Sequence, residues 1–396
     1  MGDMIIRSKK IITSQDILDG YIVIRDGKIL DICEKLSPDY ESASGVIDAA
    51  ADYVSAGFID MHTHGGGGAD FMDQTVESFL IAAKMHMRHG TTSIVPTAVT
   101  ASIPSLRHTI SVFNQARKIR GDNPHLPGLH LEGPYLSREQ CGAQDPRYII
   151  QPDEDEYTEI VRLADGAVIR WSVAPELDGA MKMGDYLRDC GILASIAHSN
   201  AEFETVRRAF SHGYSLLTHF YSAMSTIVRK NGFRRLGVVE SGYIIDDMDV
   251  EIIADGCHLP PDLLYMIYKL KGPDRVALVT DSMRGAGLPE GPSVLGGLAD
   301  GMDVIVEDGV AKLPDRSAFA GSVATADRLV RVMHREAGVG IRDAVKMITK
   351  TPARILGLQK KKGDIQCGMD ADIVIFDEDI CIKTVIVDGR VVSEAF

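Results

Sequence analysis

The chain has 396 residues and a formal net charge of −14, which excludes a binder of nucleic-acid backbone, since such proteins cluster Lys and Arg. Apolar residues make up 45% of it, ordinary globular usage, and no apolar run reaches the roughly 20 residues of a membrane-spanning helix. The length exceeds one ordinary domain and predicts a large domain with a smaller companion.

Residues 1–10 lack the pattern of an export signal, which sets the expectation of a cytoplasmic protein. The first ~55 residues read as short strands at 4–6, 10–13, 21–25 and 28–33, with an Asp26-Gly27 turn between the last two. The C-terminal tail repeats this, with strands at 371–376, 382–387 and 390–393 and a turn at Asp388-Gly389. Strand-rich ends around a long middle predict one small β-sandwich domain from residues 1–55 and 357–396.

Between them, residues 56–356 carry eight short apolar runs, at 56–59, 92–97, 128–131, 169–174, 193–197, 216–218, 250–254 and 276–280. Runs without alternation suit parallel strands buried on both faces. The intervening stretches have helical spacing; in 77–89, Phe79, Leu80, Ala83 and Met87 recur at three- and four-residue intervals and Gly90 stops the pattern. Eight such units predict an α/β fold of the (β/α)8 TIM-barrel kind, with an open doubly wound sheet as the competing arrangement. A hairpin insertion is expected near 298–313, turning at Asp308-Gly309, followed by helices at 323–337 and 341–349. The six cysteines are scattered without a Cys-x-x-Cys pair and read as reduced thiols.

Five of the eight runs end in a residue able to bind a metal or move a proton. The first continues into Asp60-Met61-His62-Thr63-His64, and residues i and i+2 of an extended strand point the same way. The third ends in His130-Leu131-Glu132, the fifth at His198, the sixth at His219 and the eighth at Asp281. Each alone reads as a structural histidine or a helix cap; together they converge, because a barrel gathers the C-terminal ends of its strands at one mouth. His86, His89, His108, His125, His212 and His334 lie in or beside helical stretches and read as packing or surface residues. Imidazole with carboxylate and no thiolate suits Zn2+ or Fe2+ and admits Mn2+. His62, His64, Glu132, His198 and His219 suffice for one or two ions, with Glu132 as a bridge. Such a site activates water and polarises a carbonyl, and Asp281 is placed to shuttle the proton of amide hydrolysis.

The segment from Ala56 to Gly66 resembles the first-strand signature of the amidohydrolase superfamily. Gly128-Leu129-His130-Leu131-Glu132-Gly133-Pro134, Ala197-His198-Ser199-Asn200-Ala201, Thr218-His219-Phe220-Tyr221, Ile253-Ala254-Asp255-Gly256-Cys257-His258, Val279-Thr280-Asp281 and Phe319-Ala320-Gly321-Ser322 resemble N-acetylglucosamine-6-phosphate deacetylases. The resemblance runs nearly end to end. It implies ligation by Glu132, His198 and His219, catalysis by Asp281, a second ion at His62 and His64, and substrate contacts from His258, Phe319, Ala320 and Gly321. Three segments depart from the family pattern: Gly142-Ala143-Gln144 replaces Gly-Ala-His, Ser222-Ala223-Met224 replaces Asn-Ala-Met, and Arg229-Lys230-Asn231-Gly232 replaces Arg-x-Pro-Gly. Ala143, Gln144, Ser222, Ala223 and Arg229 are thereby expected at the substrate. In the family the last segment reaches across a dimer interface, which implies a homodimer; a solvated basic loop is the plainer reading. The implied reaction turns N-acetylglucosamine 6-phosphate into glucosamine 6-phosphate and acetate. Another N-acetylhexosamine or its phosphate, such as N-acetylgalactosamine 6-phosphate, a cyclic amide, or a non-catalytic sugar-phosphate binder remain as alternatives.

Overall fold

The structure is a computed structural model that describes residues 3–40, 45–119 and 121–394. Its centre is an eight-stranded sheet: β1 (Phe58–Thr63), β2 (Thr91–Ala98), β3 (Leu129–Glu132), β4 (Val168–Val173), β5 (Leu193–Ile196), β6 (Tyr214–Leu217), β7 (Asp249–Ile253) and β8 (Val276–Val279). Each strand lies beside the next in sequence, all parallel. Just past β8, the Asp281 amide donates to the His62 carbonyl at 2.9 Å, which brings the last strand back to the first. That connection separates a barrel from an open sheet, so the barrel expectation holds and the doubly wound alternative falls.

The strands lie close to the apolar runs except at the start. β1 begins two residues after the start of its run and extends through the polar Asp60 to Thr63, while Tyr53–Ala56 pairs with strands of the chain ends. Apolarity marked the wrong edge there because β1 carries buried polar side chains at Asp60, His62 and Thr63. Helices follow most strands, beginning with Val76–Arg88, whose Thr75 cap accepts from the Ser78 amide at 3.0 Å. The expected helix at 323–337 is α-helical only over Ala326–Arg331 and continues as a π-helical segment, Val332–Glu336. Ile341–Ile348 follows as expected, then a further short helix, Lys350–Ile355.

Strands from both chain ends share a second eight-stranded sheet that branches at its first strand. The two short strands expected at 4–6 and 10–13 are one, Met4–Ile12, with an irregularity between Ser8 and Ile11. Its first half pairs with Gly45–Asp48 and its second with Tyr53–Ala56, two strands without a clear alternation in sequence. Both branches bury aliphatic side chains in one core, among them Ile6, Ile22, Ile24, Val54, Ile373 and Ile386. The Asp26-Gly27 turn has positive φ at both residues, as a two-residue hairpin requires.

The insertion after β8 is three strands rather than a hairpin: Gly291–Leu295 pairs with Met302–Glu307, which pairs with Val310–Lys312. The six cysteines are free. Among the described residues no helix is long and apolar enough to cross a membrane.

Candidate active site

The residues that end the strands do not continue as strand. His198 (φ 44°), His219 (φ 31°) and Asp281 (φ 47°) adopt the left-handed conformation immediately beyond β5, β6 and β8. For residues with a β-carbon this costs about 1–2 kcal/mol each, and such strain persists only where surrounding structure enforces it. The reward is direction, because the three side chains turn across the barrel mouth.

His62 Nε2 lies 3.3 Å from His64 Nε2, and the two sit 3.3 and 3.1 Å from Asp281 Oδ1. Glu132 stands between this pair and the next, with Oε2 3.3 Å from His64 Nε2 and Oε1 3.0 Å from His219 Nε2 and 3.4 Å from His198 Nε2. His198 Nε2 and His219 Nε2 are 3.2 Å apart. Two groups thus meet the spacing of a metal site, His62 with His64 and Glu132, and Glu132 with His198 and His219.

The other ring nitrogens decide what these atoms offer. His62 Nδ1 faces Glu251 Oε1 at 2.6 Å, His64 Nδ1 faces the Thr97 carbonyl at 3.2 Å, and His198 Nδ1 faces the Gln140 carbonyl at 2.8 Å. Carbonyls and carboxylates only accept, so each of these three Nδ1 atoms carries a hydrogen, and a ring that bound a cation through Nε2 would be neutral. His219 Nδ1 is buried without a hydrogen-bond partner. Nε2 atoms 3.2–3.3 Å apart beside carboxylate oxygens call for positive charge among them, as protons or as a metal ion. This donor set fits one or two divalent cations.

The electrostatics call for positive charge at the mouth. Burial disfavours a charged ring at His62, yet Asp281, Glu251 and Glu132 hold it well above the ordinary imidazole range. Burial likewise opposes charge on His64, but its hydrogen bonds to Asp281 and Glu132 push it up to about 9. Burial would raise Asp281 and Glu132; facing imidazoles instead hold Asp281 down at about 2 and Glu132 well below its usual range. The mouth favours cations, and its carboxylates are ionised at neutral pH.

Beneath lies a polar layer that the sequence reading did not single out. Glu251 Oε2 accepts from Arg170 Nη1 at 2.6 Å, and Arg170 also donates to Ser195 Oγ, Thr218 Oγ1 and the Met61 carbonyl. Asp60 accepts from Thr280 Oγ1 at 2.5 Å. His130, part of the third motif, joins this layer rather than the ligands: its nitrogens meet Thr97 Oγ1 and Ser172 Oγ, and burial holds it neutral. The available signal was a charged residue inside an otherwise apolar run, at Arg170 and Glu251.

A cavity of ≈ 300 Å3 opens above, lined by His64, Glu132, His198, His219 and Asp281, and by Ala143, Gln144, Ser222, Ala223, His258, Phe319 and Gly321. His258 is oriented by Asp255, which takes its Nδ1–H at 2.8 Å, and its ring packs on Phe319. Two residues expected at the substrate lie outside the cavity lining. Ala320 is fully buried, packed with Met283, Val304 and Ala311 rather than facing the cavity. Arg229 lies on an exposed hairpin, Val228–Lys230 with Phe233–Arg235, outside the lining of its own cavity. Gln144 lines the cavity but its amide is engaged: Nε2 donates to Glu132 Oε2 at 2.7 Å and Oε1 accepts from the Thr100 amide at 2.9 Å. Of the remaining histidines, His86 is buried, His108 is exposed, and His89 and His212 pair with Asp327 and Asp185.

Residues 53–392 match the amidohydrolase family. An N-acetylglucosamine-6-phosphate deacetylase of Lysinibacillus sphaericus is 34% identical over 370 residues, 93% of this chain and 92% of that one. An N-acetylgalactosamine-6-phosphate deacetylase of Escherichia coli O157:H7 is 28% identical over 98% of this chain and 99% of its own. A mutant N-acetyl-D-glucosamine-6-phosphate deacetylase from Mycobacterium smegmatis, solved with N-acetyl-D-glucosamine-6-phosphate, superimposes with a TM-score of 0.90 at 30% identity, covering 99% of this chain and all of that one.

Proposed function

The chain belongs to the amidohydrolase family, and from that premise we propose that it hydrolyses the acetamido group of N-acetylglucosamine 6-phosphate to glucosamine 6-phosphate and acetate. The observation that carries the chemistry is the convergence of inward Nε2 atoms on Glu132 beside Asp281. The relatives that share the whole chain supply the substrate.

Glu132, His198 and His219 would hold one divalent cation, and His62 and His64 with Glu132 would hold a second, with Zn2+ or Fe2+ the best match to imidazole and carboxylate. A cation held there lowers the pKa of water toward ~7 and withdraws charge from a carbonyl oxygen. Asp281 Oδ1 takes the proton as the water oxygen attacks the acetyl carbon. It then returns that proton to the sugar nitrogen as the C–N bond breaks, leaving a neutral amine and a carboxylic acid that ionises to acetate. His258, held by Asp255, and the 319–321 segment border the space for the sugar ring.

No Lys or Arg is among the described residues lining the cavity. The phosphate therefore needs cations from elsewhere, and the exposed hairpin bearing Arg229, Lys230, Arg234 and Arg235, with Phe233 72% exposed, supports delivery across a homodimer. In this reading residues 1–55 and 357–396 form the small β domain, 56–356 the catalytic barrel, and the enzyme works in the cytoplasm.

A second reading is the galactosamine epimer, favoured by the full-length relative with that activity and by Gln144 and Ser222 at substrate-facing positions. Acetate release by metal-loaded protein from N-acetylglucosamine 6-phosphate, N-acetylgalactosamine 6-phosphate and unphosphorylated N-acetylglucosamine tests both. Fastest release from the first supports the proposal, and a preference for the second transfers it to the epimer. No release from any of the three overturns both and leaves a different amide substrate or the binding-protein alternative.

A further inference from the structure

Glu251 sits below the mouth on β7, fully buried, and its two oxygens serve different masters. Oε1 accepts from His62 Nδ1 at 2.6 Å and from the His219 backbone amide at 3.0 Å; Oε2 accepts from Arg170 Nη1 at 2.6 Å. Arg170, also fully buried, is fixed in turn by Met61, Ser195 and Thr218. One carboxylate therefore touches both histidine groups, from beneath, as Glu132 does from above.

We infer that Glu251, clamped by Arg170, is the positioning residue that makes the His62–His64 pair an ion site, by holding His62 as its Nδ1–H tautomer. The inference rests on the metal-dependent reading of the mouth. An imidazole has two tautomers of similar energy, and only the one protonated at Nδ1 leaves a lone pair at Nε2. Nothing else among the hydrogen-bond partners of His62 enforces that choice, since its Nε2 meets only His64, Glu132 and Asp281. Arg170 matters because an unpaired carboxylate would not stay ionised at that depth. The guanidinium, 2.6 Å from Oε2, supplies the opposing charge there.

Removing one charge of a buried pair strands the other, so the test removes both. Arg170→Met with Glu251→Gln keeps an acceptor oxygen for His62 and the His219 amide; Arg170→Met with Glu251→Leu does not. Elemental analysis and zinc competition against a chelator are compared with the unaltered protein, and thermal unfolding checks that each variant is folded. The expected result is two ions per chain in the unaltered and Gln-bearing proteins. In the Leu-bearing protein one ion should be bound about 10- to 100-fold more weakly. Two equally held ions in both variants overturn the inference, as does a single ion in the unaltered protein, which leaves the proposed hydrolase intact. No ion at all would take the metal-dependent reading down with it. A measurement without variants serves where folding fails: in zinc-loaded protein the His62 Nδ1–H should give an exchange-protected, strongly downfield proton resonance, and its absence overturns the assignment.

Discussion

In the terminal sheet the inward positions are Ile6, Ile22, Ile24, Val54, Ile373 and Ile386; in the barrel, buried strand positions near the mouth carry His62, Glu132, Arg170, Ser172, Ser195 and Glu251. Both sets are shielded from water, by different physics. The aliphatic core is held by non-directional burial and tolerates rearrangement. The polar layer is stable only with its donors and acceptors matched, since each unpaired buried group costs about 1–3 kcal/mol. The barrel therefore gives up part of its stability to present charges at one rim, and the terminal sheet has no such duty.

The sharpest way to separate the two regions is Asp281→Asn. It should retain metal and fold while turnover falls about 10^2- to 10^4-fold, the range for a lost proton shuttle. Acetate release together with elemental analysis reads this, and near-normal turnover would remove Asp281 from the chemistry. The mirror-image change is Ile373→Ala in the terminal sheet. Urea unfolding should show a loss of about 2–5 kcal/mol from the cavity it leaves, with kcat/KM of the folded protein unchanged. A fall in kcat/KM there would tie the sheet to the mouth.

Between the regions lies His86, buried on the helix after β1 and hydrogen-bonded to the Gly65 carbonyl at 2.9 Å. Burial depresses it to about 4, with the Gly65 contact only partly opposing. The unfolded chain binds this proton near 6.5 and the folded one only near 4. Its contribution is therefore complete above about pH 6.5 and is lost as the pH falls toward 4. By pH 5 the loss is about 2 kcal/mol. Stability measured for the protein and for His86→Gln at pH 7 and pH 5 should show the gap between them closing by that amount; a constant gap would deny His86 the role. The smallest effect is expected from Gln144→Leu, which removes the amide from Glu132. Ion affinity should weaken about 10-fold, the lower end for a residue that orients a ligand. An unchanged affinity with a raised KM would return Gln144 to substrate binding alone.

The barrel was legible because eight apolar runs separated by helical stretches have few other solutions, and the residues at five strand ends marked the candidate site in advance. What escaped was whatever apolarity cannot mark. β1 continues through Asp60 and His62 because a polar interior awaits them, and Arg170 and Glu251 look like interruptions of a strand until their partnership is seen. Gly45–Asp48 and Tyr53–Ala56 are strands because the long first strand supplies them with an edge. Arg229, named by its motif, stands outside its own cavity because a motif carries residue identity and not the path of a loop.

By itself the sequence determined the fold class and the residue types gathered at the mouth, since these follow from residue type and from periodicity along the chain. Only the tertiary structure decided which nitrogen of each histidine faces inward, that His198, His219 and Asp281 turn left-handed to reach the centre, and that one buried carboxylate underpins both histidine groups. These depend on partners dozens to hundreds of residues away, and hydrogen-bond direction exists only once such partners have met.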